Sequence, residues 1–269
     1  MSYINFLKKS LAYIKLGIIT KAQYRINLLV GVLALPAIGF GVECAVWLGI
    51  FEASGQQSIG GFTATQYITY LLWLLLQLGS ANWRFERAMI GEINSGAVNA
   101  TLVRPTSFFD YHLGQLLGHK LMTVILMLPV MLLIAWKWDL PLHVERLGPA
   151  ILLGFYYLIM IHTVNFAVCS MAFFFDHVYS LNTTKNMIIW FLVGELLPLD
   201  LLPSPLCEWV TALPFSAGVY IPAAYISGRI STEAFLHGFI SVTMGLIVFA
   251  SLGRLIWRRG LRVYNGTGA

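Results

Sequence analysis

QLLGHKLMTVILMLPVMLLIAWKW, residues 115–138, is apolar from Leu121 to Trp136 with only Thr123 and Pro129 intervening. A membrane β-strand alternates lipid-facing and lumen-facing residues over about ten positions. A continuous apolar run instead reads as a helix, which needs about 20 such residues to cross hydrocarbon and satisfies its own backbone polar groups on the way. Five further runs read the same way, at 26–51, 64–83, 147–175, 186–203 and 235–257. The whole composition agrees: 58% of the 269 residues are hydrophobic, 11% are charged and the mean hydropathy is +0.75, against roughly 25% charged residues in soluble domains. The expected fold is an all-α integral membrane protein with six transmembrane helices.

Lysine and arginine collect in cytoplasmic segments of membrane proteins. One side of the six-span layout holds 14 of the 17 Lys and Arg, in residues 1–25, 84–120, at Lys185 and in the C-terminal Arg254, Arg258, Arg259 and Arg262. Lys137, Arg146 and Arg229 fall on the other side. Both termini are therefore expected in the cytoplasm, and the net charge of +5 is a topology signal, without the folded basic domain that nucleic-acid binding requires. The sequons at Asn99, Asn182 and Asn265 lie on the same cytoplasmic side and are expected to stay unmodified. Cys44, Cys169 and Cys207 have neither metal nor redox spacing and read as packing residues.

The N-terminus, MSYINFLKKSLAYIKLGIITKAQYRI, disperses its lysines among apolar residues, so it is expected to remain on the mature protein and not to be cleaved as a signal peptide. Ile4, Leu7, Leu11, Ile14 and Ile18 share one helical face while Lys8 and Lys15 border it. Two readings fit, a helix lying in the inner membrane surface or a frayed basic terminus that only enforces orientation.

Few residues carry chemistry. A phosphate-cradling loop needs four residues between its glycines and a Lys-Ser or Lys-Thr pair after a strand. GQLLGHKL, residues 114–121, has three residues between the glycines, no hydroxyl and no strand, so Gly114 and Gly118 read as a small-residue surface for close helix packing. Ionisable groups in a membrane are functional candidates because burying them is costly. Glu43 stands about 24 Å along the first helix from Asn27, Glu195 lies midway along the fifth run, and His162 is near the middle of the fourth. Glu43 and Glu195 either line a polar path or cap structure near the outer interface; His162 is either a pathway residue or a neutral side chain bonded to a neighbouring helix. No nucleophilic triad or metal-ligand spacing accompanies them.

Two segments are not explained by hydrophobicity. Residues 87–112, RAMIGEINSGAVNATLVRPTSFFDYH, form a long polar segment between the second and third runs. Residues 194–234 begin with GELLPLDLLPSP, whose Pro198 and Pro203 with neighbouring glycines break an apolar helix; such backbone is tolerated at membrane depth only against protein or a water cavity. An outer re-entrant hairpin is expected over 204–234.

FERAMIGEINSGAVNATLVRPTSFFDYHLGQLLGHKL, residues 85–121, resembles the segment after the second helix of ABC-2 type permeases, and VGELLPLDLLPSPLCEWVTALPFSAGVYIPAAYISG, residues 193–228, is similar to that family's outer hairpin. The resemblance covers essentially the whole chain and is closest to the short six-helix branch. It implies one ABC-2 type transmembrane domain over 1–269: an interfacial helix at 1–25, spans one and two over 26–83, a cytoplasmic coupling-helix segment at 84–114, spans three to five over 115–203, the hairpin at 204–234, span six at 235–257 and a cytoplasmic tail at 258–269. It further implies a dimer of permeases, identical or paralogous, in a bacterial inner membrane, exporting a substrate with two separate ABC ATPase subunits. This chain would bind no cofactor and perform no catalysis; ATP and Mg belong to the partner ATPase. Arg87, Gly91, Glu92, Arg104 and Pro105 would couple to that ATPase, with residues 176–185, DHVYSLNTTK, as a smaller second contact. Glu43, His162, Glu195, Pro198 and Pro203 are the pathway or outer-gate candidates. The competing reading is a stand-alone secondary transporter or channel using Glu43, Glu195 and His162, which commonly carries an internal repeat; no clear repeat is found.

Overall fold

The structure, a computed structural model, describes residues 3–79 and 83–264, and every named element among them is helical. Helix α1, Tyr3–Gln23, ends at Tyr24, whose backbone leaves helical geometry at φ −99° and ψ 79°. The chain re-enters helix at once as α2, Arg25–Ser54, with a π-helical stretch at Leu29–Ala34. That wider turn sits just before Pro36, which has no N–H to close the regular ladder.

Helix α3, Ala64–Leu74, starts in a capping box between Thr63 and Gln66 and is buried at every position from Tyr67 to Trp73. The chain then leaves helix, Gln77 taking φ 54°, before α4, Trp83–Asn94. The expected helix over 64–83 is thus broken. Two interactions account for the break: Lys120 Nζ donates to the Gln77 carbonyl, and Gly79 lies so close to Gly218 and Val219 that no Cβ would fit. Residues 80–82 of that run lie outside the described residues.

After the short α5, Asn99–Leu102, Ser107 accepts a bond from the Asp110 amide and caps α6, Phe108–Lys137. The polar FFDYH at 108–112 therefore opens this helix. Helix α7, Val144–Phe173, ends in a 3-10 turn. Helix α8, Val178–Leu192, has only 15 residues; Gly194 at φ 83° ends it, and the prolines that follow cannot continue its ladder. The expected fifth span over 186–203 is consequently half helix and half turn. Then come α9, Leu206–Ala212, a 3-10 turn at Pro214–Gly218, the wholly buried α10, Tyr220–Ile226, and α11, Thr232–Val263.

Four helices among the described residues, α2, α6, α7 and α11, are long and apolar enough to cross a membrane. They replace four of the six expected spans with somewhat longer helices; the expected second and fifth spans are not single helices of that kind. Helix α7 runs through the interior, and α11 lies along it, with Gly245, Gly253 and Gly260 facing Met160, Phe166 and Phe173. Helix α3 is tied to the 194–218 segment by Tyr70, whose hydroxyl donates to the Gly194 carbonyl at 2.6 Å, and by Trp73 Nε1, which donates to the Gly218 carbonyl at 3.2 Å. Arg146, at the start of α7, donates to the Tyr225 carbonyl at 2.9 Å and lies over the Tyr225 ring, closing the backbone at the end of α10.

Helix α1 runs beside the first half of α6. Side chains at Gly17, Gly114 and Gly118 would collide with Gln115, Tyr13 and the Ile14 carbonyl, so the glycines of GQLLGHKL serve close helix packing. The apolar stripe is divided: Ile14 turns toward α6 and Leu7 and Leu11 are exposed, while the Ile4 side chain lies outside the described residues.

Candidate functional site

Helix α4 is strongly one-sided: Met89, Ile90 and Ile93 are buried and Arg87 is exposed. With Val98 and Phe108 they form a second hydrophobic core, separate from the main one, against Phe166, Cys169 and Val178. Trp257 of α11 stacks on Phe108 with ring centroids 5.1 Å apart. The segment 83–108 is thereby packed on the ends of α7, α8 and α11.

A buried polar knot strengthens the attachment. Glu86 is fully buried; its Oε2 accepts from Asn182 Nδ2 at 2.7 Å and Asn186 Nδ2 at 2.5 Å, and its Oε1 faces Lys185 Nζ at 3.3 Å as an ion pair without hydrogen-bond geometry. Lys185 in turn donates to Asn165 Oδ1 at 2.5 Å. One carboxylate thus joins α4 to α8 and, through lysine, to α7. The sequence shows all five polar residues, but nothing in their spacing says that they meet. Asn182, one of the three sequons, is occupied in this knot; Asn265 lies outside the described residues.

The expected coupling residues fall in different settings. Glu92 Oε1 lies 3.5 Å from the Nε2 of the buried His112, linking α4 to α6. Gly91 faces Tyr179 of α8. Arg104 and Pro105 are exposed in the turn before α6, and Lys9 of α1 donates to the Pro105 carbonyl at 2.8 Å. Beside them Leu102 and Val103 are also exposed, Val103 at 84%. In a chain this apolar, hydropathy alone does not mark these two out.

The pathway candidates divide. Glu43 and Glu195, 152 positions apart in sequence, line one cavity of about 230 Å³ with Pro36, Phe40, Leu71 and Gln77. His162 is placed elsewhere: it is buried with Nε2 3.2 Å from the Phe109 carbonyl, the bonded-to-a-neighbour arrangement. Pro198 is buried and Pro203 exposed, flanking the 3-10 turn Leu199–Leu201. Among the tryptophans, Trp73 is core, whereas Trp136, Trp190 and Trp209 are exposed.

Four long apolar helices among the described residues, with broken helices and turns between them, define a multi-pass membrane protein. The family model described as ABC-2 family transporter protein matches residues 39–268, and the chain belongs to that family: it is the permease component of an ABC-type transporter. The family is a membrane transport component, not itself catalytic, and implies association with ABC ATPase partners. A comparison with curated proteins returns no match.

Proposed function

We propose that this chain is the membrane-spanning subunit of an ABC-2 exporter, paired with a second permease and driven by two ATPase subunits through residues 83–108. The observation that carries the reading is the construction of that segment. A surface tip of Leu102, Val103, Arg104 and Pro105 is fused to three helix ends by its own hydrophobic core and by Glu86. A bundle driven from outside needs a rigid handle, because a loosely held loop would absorb the displacement that ATP binding produces. Gly91, Glu92 and Arg87 belong to the same body, and residues 176–185 lie beside it.

On this reading α3 with the break after it, and α8 with its following turns, complete a six-span topology, with both termini in the cytoplasm and residues 204–234 dipping into the outer leaflet. Backbone that is not helical at that depth is supported by protein partners, as at Gly194 and Gly218. Glu43 and Glu195 face the path, while His162 belongs to packing. The stand-alone transporter reading retains only the Glu43–Glu195 pair.

The test is affinity purification of the permease from its native host. An ATPase carrying a phosphate-binding loop is expected to accompany it. Leu102→Asp with Val103→Asp is expected to leave insertion intact and to reduce that capture at least tenfold; replacing Glu92 and Arg104 is expected to lower coupled ATP hydrolysis. Normal capture and hydrolysis by all of these variants would remove the assignment of the handle.

A further inference from the structure

A second cavity, about 200 Å³ in volume, opens where α1 gives way to α2. Its wall includes Lys21, Tyr24, Asn27, Gln77, Arg84 and His119. Among the described residues that line it there is no carboxylate. Lys21 is buried; its Nζ donates to Thr123 Oγ1 at 2.5 Å and lies 3.2 Å from His119 Nδ1. An ammonium has three donors, so with these two partners among the described residues one direction is left for a further acceptor. Tyr24 and Arg84 are exposed, which gives the cavity a mouth with cations at both floor and rim. Next to it stand Ile26, Leu29 and Val30, exposed residues of an apolar helix long enough to cross a membrane. Positive charge gathered at the end of such a helix lies at the level of lipid headgroups.

From this geometry we infer that the cavity is a binding site for an anionic phosphate group presented at the membrane surface, held by Lys21 and Arg84 with His119 behind them. The inference goes beyond the permease reading and does not depend on an ATPase. The volume suits a headgroup, since pockets for drug-sized ligands run from about 300 Å³ upward. An anion would also relieve the mutual repulsion of the cations. Gln77 lines both this cavity and the one holding Glu43 and Glu195, so acidic groups lie on the far side of the break.

Protonation gives a second readout. Burial first, then Lys120 and Arg84, push the Lys21 ammonium down to about 7. A bound anion favours the protonated form, so binding is expected to strengthen as pH falls through about 7 and to weaken above it.

The experiment uses the full chain in detergent with a fluorescent short-chain phosphatidylglycerol, whose phosphodiester does not titrate in this range, and the matching phosphatidylcholine. Saturable binding that prefers phosphatidylglycerol is expected. Arg84→Gln and Lys21→Gln each weaken it about tenfold or more, the scale of one lost charged hydrogen bond. Lys15→Gln, exposed on α1 outside the cavity, leaves it unchanged. Competition by inorganic phosphate assigns the site to free phosphate, and absence of competition assigns it to lipid; both sustain a phosphate site. Equal affinity for the two lipids, or equal loss with Lys15→Gln and Arg84→Gln, reduces the effect to diffuse surface charge and overturns the proposal.

Discussion

At the scale of the residue, Glu86 shows how far a single side chain can reach. Its partners, Asn182, Lys185 and Asn186, are about a hundred positions away on α8, so no local pattern could pair them. Glu86→Ala leaves a largely buried ammonium without its counter-charge and two amides without their acceptor. The expected loss is about 3–5 kcal/mol, the usual result of removing one member of a buried ion pair, read as lower resistance to thermal unfolding in detergent. Removing both charges, as Glu86→Gln with Lys185→Met, is expected to recover part of it; a double variant no better than Glu86→Ala would show that the pair itself is not what matters. His162 gives the contrary case. As an ionisable residue in an apolar run it stood out in the sequence, yet the Phe109 carbonyl occupies its Nε2.

At the scale of the element, the long uniform helices were the legible part. Runs centred on α2, α6, α7 and α11 are visible because hydrocarbon demands apolar side chains over their whole length. Helix α3 has the same apolar character for another reason, burial inside the protein, and hydropathy does not separate the two causes; α8 is apolar but short, with Met187, Ile188 and Trp190 exposed. The break at 75–79 depends on a tertiary contact from Lys120, whereas the end of α8 at Gly194 is followed by prolines that act locally, through their missing N–H. The α1–α6 contact was legible as two glycines four apart in α6, although their partner was not. Gly118→Leu is expected to displace α1 because the added side chain meets the Ile14 backbone, which cannot turn aside as a side chain could. A cost of about 1–3 kcal/mol is typical of such overpacking, and the measurable sign is faster proteolysis within α1. An α1 as protected as in the unaltered chain would contradict the packing described.

For the whole molecule, topology is the quantity to test. Single cysteines at Val103 and Ser204, both exposed, placed in a background lacking Cys44, Cys169 and Cys207, are expected to react with an impermeant maleimide from opposite sides of the membrane. Reaction of both from one side would rule out the six-span reading. The sequence by itself determined that the chain is a helical membrane protein of the ABC-2 family, that residues 84–114 interrupt its apolar runs with polar sequence, and that Glu43 and Glu195 are candidates. Only the tertiary structure decided that those two glutamates share a cavity, that Glu86 binds α4 to α8, and that three basic groups from α1, α4 and α6 surround a second cavity. The physical reason is the reach of each force. Transfer into hydrocarbon is a sum over neighbouring residues and leaves its mark on a window of sequence, whereas hydrogen bonds, ion pairs and close backbone contacts join residues that only the folded chain brings within a few ångströms.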